Sequence, residues 1–238
     1  MPNEVILGVI TLITSGITAM IGVGGGMILI AILPSFLPAS VLIPIHGINQ
    51  WSSNFSRAIF SYKDVQLKAI PSFLLGSFLG VLMMSIVIYF ISLSYVPLFI
   101  GLYILLSLHS EFFNKKIRKF ENYFLIGFFQ TGLSMVVGAT GPLSMALLLK
   151  EFNDSNKVIA TQAALMSLTH TFKIFAFIFL GFVFIDYIGV IITMMIGSIL
   201  GSYIGTFFRK KIDADKFKKM LKVLLTLLAF KAILSVWI

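Results

Sequence analysis

Long apolar stretches, separated by short charged or turn-rich borders, mark out eight segments: roughly 5–37, 41–61, 69–91, 95–110, 121–149, 158–181, 187–208 and 217–238. A membrane-crossing helix needs about 20 mostly apolar residues, so six of these suit single helices, with 95–110 extending slightly past its written ends. The runs are too long and too uniformly apolar for the alternating strands of a membrane barrel. Helices are the predicted spanning form, because a helix satisfies its own backbone where water is absent.

Segments 5–37 and 121–149 are too long for one comfortable helix, and each is broken near its middle. The first break is Gly22-Val23-Gly24-Gly25-Gly26 and the second is Gly138-Ala139-Thr140-Gly141-Pro142. Within a helix Gly costs roughly 1 kcal/mol and Pro about 3 kcal/mol. Both clusters therefore predict an interruption.

The two breaks belong to an internal repeat. A shift of 116 positions places Gly16 on Gly132, Gly22 on Gly138 and Gly25 on Gly141. The same shift places Ser53 on Thr169, Asn54 on His170 and Arg57 on Lys173. Farther on, Gly76-Ser77-Phe78-Leu79-Gly80 answers Gly197-Ser198-Ile199-Leu200-Gly201 with a shift of 121. The ordered set predicts a duplication, with halves at 1–119 and 120–238 in one continuous membrane domain.

Composition agrees with a membrane protein. Charged residues make up 11% of the 238, against about 25% in soluble domains, and mean hydropathy is +1.03. So few charges could not clothe a soluble surface. The absence of Cys removes disulfides, thiolate metal sites and a Cys nucleophile. No metal-ligand spacing joins the three His residues, and no cofactor is predicted. A nucleotide-binding loop ending in Gly-Lys-Ser or Gly-Lys-Thr is also missing, so neither ATP hydrolysis nor another enzymatic activity is predicted. The net charge of +9 lies in short clusters between apolar runs, which points to anionic lipid headgroups and not to nucleic acid. Met1-Pro2-Asn3-Glu4 lacks the positive region of a cleavable leader.

Charge also orients the segments. If all eight crossed once, Lys63, Lys68 and the cluster Lys115, Lys116, Arg118, Lys119 would lie on one side. Lys150, Lys157 and the cluster Arg209, Lys210, Lys211, Lys216, Lys218, Lys219 would lie on the other. That split conflicts with the tendency of Lys and Arg to stay cytoplasmic. If 5–37 and 121–149 are hairpins, each entering and leaving on one face, every one of these loops becomes cytoplasmic. Glu4, Asp186 and both termini then fall outside. The expected fold is an all-α polytopic membrane protein of eight apolar segments in two inverted repeats, each beginning with a glycine-broken helical hairpin. Such repeats recur in transporters.

The pattern Gly16-x5-Gly22-x-Gly24-Gly25-Gly26 followed by Pro34, its counterpart Gly132-x5-Gly138-x2-Gly141-Pro142, and the Gly76/Gly80 and Gly197/Gly201/Gly205 helices together resemble the sulfite exporter TauE/SafE family of membrane permeases. The resemblance covers essentially the whole chain. It implies transport of a small organic or inorganic anion, often sulfur-containing, across the cytoplasmic membrane, with export the implied direction.

The residues supply candidate binding groups. Gly22, Gly24, Gly25 and Gly26 permit backbone shapes closed to other residues and expose N–H groups to a ligand. A helix restarting near Met27 would turn its positive end toward an anion. Gly138, Thr140 and Gly141 repeat the arrangement. Arg57 and Lys173 are ionisable groups embedded in apolar segments, a costly placement that points to function; Lys173 is the first choice because it lies farther from a basic loop. Gln50 and Asn54, with His46, share a helical face with Arg57. Thr161, Gln162, Thr169 and His170 give a related track beside Lys173, and His170 is the candidate for proton coupling. Packing through small residues and interhelical hydrogen bonds would use the same residue types.

The leading expectation is a secondary transporter for a small anion. An anion channel or a membrane accessory protein without transport would leave the same apolar pattern, and a homo-oligomer stays open.

Overall fold

The computed structural model describes residues 2–117, 121–209 and 214–237. Among these the chain forms eleven α-helices and no strand. They are α1 (Pro2–Ile21), α2 (Gly25–Ile32), α3 (Ala39–Phe60), α4 (Ile70–Ile88), α5 (Val96–His109) and α6 (Glu111–Ile117), then α7 (Tyr123–Val137), α8 (Pro142–Glu151), α9 (Ser155–Phe179), α10 (Ile188–Phe208) and α11 (Ala214–Leu234). Of the basic residues invoked above, Arg118, Lys119, Lys210 and Lys211 lie outside the described residues, as does the 119/120 boundary between halves.

Local sequence explains where several helices begin. Asn122 caps α7 by accepting from the Phe124 N–H at 2.7 Å, and Asp154 caps α9 by accepting from Asn156 N–H at 2.8 Å. Pro71, Pro97 and Pro142 sit in the first turns of α4, α5 and α8, where a missing N–H costs nothing.

Both glycine clusters interrupt a helix. After α1, Gly22 and Gly24 adopt φ of 88° and 102°, the left-handed region that side chains with a Cβ avoid. Helix α2 then runs back along α1, setting Gly25 against the Thr14 carbonyl and Thr18 Oγ1 so closely that any Cβ would collide. In an unbroken helix Thr14 and Gly25 would stand about 16 Å apart. At the second break Gly138 has φ 80°. Gln130 of α7 ties that break together, its carbonyl accepting from Thr140 Oγ1 at 2.9 Å and its Oε1 from the Ser144 N–H at 3.0 Å.

Glycine also sets the closest helix contacts. In the α1–α10 pair, added Cβ atoms on Gly197, Gly201 and Gly205 would strike the carbonyls of Gly8, Leu12 and Gly16. In the α4–α7 pair, Gly76 and Gly80 meet the carbonyls of Phe124 and Phe128 in the same manner. Contacts rise in step along both pairs, so the partners run parallel. Where the solvent is lipid, such backbone approach replaces the hydrophobic effect as the source of helix association.

Helices α3 and α9 pack together at the centre, and their polar side chains point inward. His46, Asn54, Arg57, Thr169, His170 and Lys173 are at most 2% exposed. The outer faces carry large apolar groups instead, including Phe78, Leu82 and Ile86 on α4 and Ile192, Ile196 and Tyr203 on α10. A water-soluble protein has the opposite arrangement. Among the described residues four helical stretches, Asn3–Ile21, Leu67–Ile88, Ser155–Phe179 and Phe184–Phe208, are long and apolar enough to cross a membrane, and shorter apolar helices accompany them. The architecture is that of an all-α polytopic membrane protein.

Candidate functional site

The two breaks face one cavity between α3 and α9. From the first break it is lined by Gly22, Val23, Gly24 and Gly26, and from the second by Ala139, Gly141 and Pro142. Helix α3 contributes His46, Gln50, Asn54 and Arg57, while α9 contributes Gln162, Met166 and His170. Those α3 residues are spaced by three and four, which aligns them on one helix face. The 116-position shift pairs His46 with Gln162, Gln50 with Met166 and Asn54 with His170. The cavity measures about 30 Å³, room for roughly two water centres.

The wall has unpaired hydrogen-bonding capacity. Arg57 Nη2 donates to Asn54 Oδ1, whereas its buried Nε and Nη1 have no partner. Both ring nitrogens of His170 are also buried without a partner. His46 Nε2 lies 3.0 Å from the Gly26 carbonyl; a carbonyl only accepts, so Nε2 carries the proton and Nδ1 is left free. The two imidazoles meet edge to face with centroids 6.0 Å apart. Buried polar groups are nearly always paired, and unsatisfied ones call for a specific account.

No Asp or Glu lines the cavity among the described residues. Its permanent charge is the guanidinium of Arg57, backed by the first N–H groups of α2, which lack acceptors within the helix. The charged side chain on the wall is thus cationic. No group of three His, Asp or Glu side chains suited to a metal occurs among the described residues.

Sequence patterning groups twelve residues, and the cavity gathers eight of them: Gly22, Gly24, Gly26, Gln50, Asn54, Arg57, Gly141 and His170. The other four stand behind the wall. Gly25 packs on α1, and Gly138 abuts Ile30 and His46. Thr140 is engaged with the Gln130 carbonyl. Lys173 donates to the carbonyls of Gly138 at 3.2 Å and Ser134 at 3.4 Å, near the negative end of the α7 dipole. At the end of α1 the comparable contact comes from Arg209, whose Nε donates to the Ala19 carbonyl at 2.9 Å.

Sequence patterning misses Thr18, Val23, Met27, Ala139, Pro142 and Met166 as lining residues, and names Gln162 only within a polar track. The repeat shift carries a signal for Gln162 and Met166, since they stand on His46 and Gln50. Gln162 also fixes the second break, its Nε2 donating to the Gly141 carbonyl at 2.8 Å and its Oε1 accepting from Ser144 Oγ at 2.7 Å.

Comparisons with curated proteins and with solved structures return no match. The family described as sulfite exporter TauE/SafE matches residues 7–232, nearly the whole chain. With its helices, its glycine breaks and the length of that match taken together, the chain belongs to the sulfite exporter TauE/SafE family.

Proposed function

We propose that the chain is a secondary transporter that moves a small sulfur-containing oxyanion, such as sulfite or an organosulfonate, through the cavity between α3 and α9. Family membership makes the protein a membrane transporter for a small anion and not an enzyme. The observation that carries the finer reading is the buried cavity where both helix breaks meet and Arg57 keeps two guanidinium nitrogens unpartnered. Arg57 pairs with the cargo. Gly22, Gly24, Gly26, Gln50, Asn54, Gly141 and His170 complete the wall, while Gly25, Gly138, Thr140 and Lys173 hold the breaks in shape. His170 is the group available for proton coupling.

The halves 1–119 and 120–238 act as inverted repeats. Supporting this, Gly76 against the Phe124 carbonyl has its counterpart in Gly197 against the Gly8 carbonyl, and Gly80 against Phe128 in Gly201 against Leu12. The broken segments are re-entrant hairpins from opposite membrane faces, which puts both termini outside and the basic loops in the cytoplasm. Alternating access then proceeds by movement of these halves around the cavity. The small volume and nearly complete burial of the lining suit a gated transporter better than an open channel.

Purified protein in liposomes tests this reading. Sulfite or a short alkanesulfonate should enter with saturable kinetics, and the same anion on the far side should accelerate the flux. Selective flux of cations, with no flux of any small anion by folded protein, would overturn it.

A further inference from the structure

Arg209 carries a second guanidinium with unused capacity close to Arg57. It stands just past the end of α10, and beyond its bond to the Ala19 carbonyl its Nη2 is buried without a partner. Ser198 Oγ donates to Ser52 Oγ at 3.2 Å, and Ser202 Oγ to the Ser53 carbonyl at 3.0 Å. Counted from the Ser53–Ser202 contact, Arg57 stands four residues on and Arg209 seven, which puts both on the facing sides of α3 and α10. Arg209 bonds Ala19 at the end of α1, and Thr18 and Gly22 from that same end line the cavity together with Arg57. Among the described residues neither arginine forms an ion pair with a carboxylate.

Two neighbouring guanidiniums repel, and burial strengthens the repulsion because the surrounding dielectric is low. Three of their nitrogens, Nε and Nη1 of Arg57 and Nη2 of Arg209, are buried and unpartnered. Guanidinium forks match the oxygens of compact oxyanions, and an anion between two of them relieves the repulsion while filling the empty donors.

We infer that Arg57 and Arg209 together hold a single oxyanion where α1, α3 and α10 meet, with Arg209 as a binding residue of the transporter. This rests on the reading of the cavity as an anion pathway and extends that pathway past Arg57. The shared chemistry is a sulfur- or phosphorus-centred oxyanion, whose source is either the soluble cargo or a lipid phosphate headgroup.

Binding to the purified full chain in detergent tests the inference, with sulfite, methanesulfonate and dihexanoyl phosphatidylglycerol as separate probes. At least one should bind the parent saturably, and Arg209→Gln should weaken it about tenfold, as should Arg57→Gln. Arg209→Lys keeps the charge and a donor for Ala19 but loses the fork, and should weaken binding about threefold or more. A response to sulfite or methanesulfonate assigns the position to cargo; a response to the phospholipid alone assigns it to a headgroup. If Arg209→Gln does not fold, Arg209→Lys decides. Parent-like affinity in the folded Arg209 variants, with binding lost in Arg57→Gln, would remove Arg209 and leave the transport reading intact. Failure of all three probes to bind the parent would overturn the two-arginine site, while flux in liposomes would still report on transport itself.

Discussion

Lys173 on α9 donates to the carbonyl of Gly138 at 3.2 Å, so that a buried cation closes the broken end of α7. Arg57, which stands 116 positions earlier, makes no such bond to the end of α1; Arg209 reaches Ala19 there instead. Equivalent positions thus have different partners, and of Arg57 and Lys173 it is Arg57 that keeps unused donors.

That difference separates two charge-removing substitutions. Lys173→Met removes the donor to the Ser134 and Gly138 carbonyls, which should cost about 1–3 kcal/mol and lower the melting temperature of purified protein. Arg57→Gln satisfies no fewer backbone acceptors and should melt at or above the parental temperature. Equal losses in both would contradict the assignment.

Adjacent glycines should also behave differently. A methyl group on Gly25 would collide with the Thr14 backbone, which cannot give way, so Gly25→Ala should reduce the yield of folded protein. At Gly26 the obstacle is the Gln50 amide, 2.9 Å from the added carbon and at the end of a mobile side chain. Gly26→Ala should fold and lose transport. Transport per folded molecule, measured for each, checks the contrast.

Much of this arrangement is legible in the order of residues alone. Border charges locate the helices, and Gly with Pro locates both breaks, because backbone preferences are local. The polar face of α3 follows from the spacing of Gln50, Asn54 and Arg57. Which of two equivalent cations is free is not legible in that way. It depends on Arg209 arriving from the far end of α10 to cap α1, a contact spanning 190 positions. The same limit groups Gly25 with ligand-facing glycines, since only the reversal of α2 shows that it faces α1.

Helix packing offers a further contrast. Gly201→Ala would drive its methyl into the Leu12 carbonyl of α1, and overpacking of this kind typically costs about 1–3 kcal/mol. Gly181 has φ 88° and nothing within 4 Å of an added Cβ, so Gly181→Ala meets only the left-handed backbone penalty of roughly 1–2 kcal/mol. Thermal unfolding in detergent should rank Gly201→Ala as the less stable, and it alone should perturb the α1–α10 contact read by cross-linking.

The chain has no Cys, so single-cysteine labelling can map its orientation directly. Asp186→Cys should react with an impermeant maleimide in intact cells, whereas Lys63→Cys and Asn153→Cys should react only after the membrane is opened. Labelling of Asn153→Cys from outside would contradict the re-entrant hairpins.

The central claim is that Arg57 pairs with an anion in transit, and initial flux of sulfite into liposomes measures it most directly. Parent and Arg57→Gln protein should be reconstituted at matched amounts, each with a parental melting profile. The account predicts saturable flux for the parent and a loss of about tenfold or more in Arg57→Gln, the scale of a charge-assisted hydrogen bond. Undiminished sulfite flux through folded Arg57→Gln protein would contradict it.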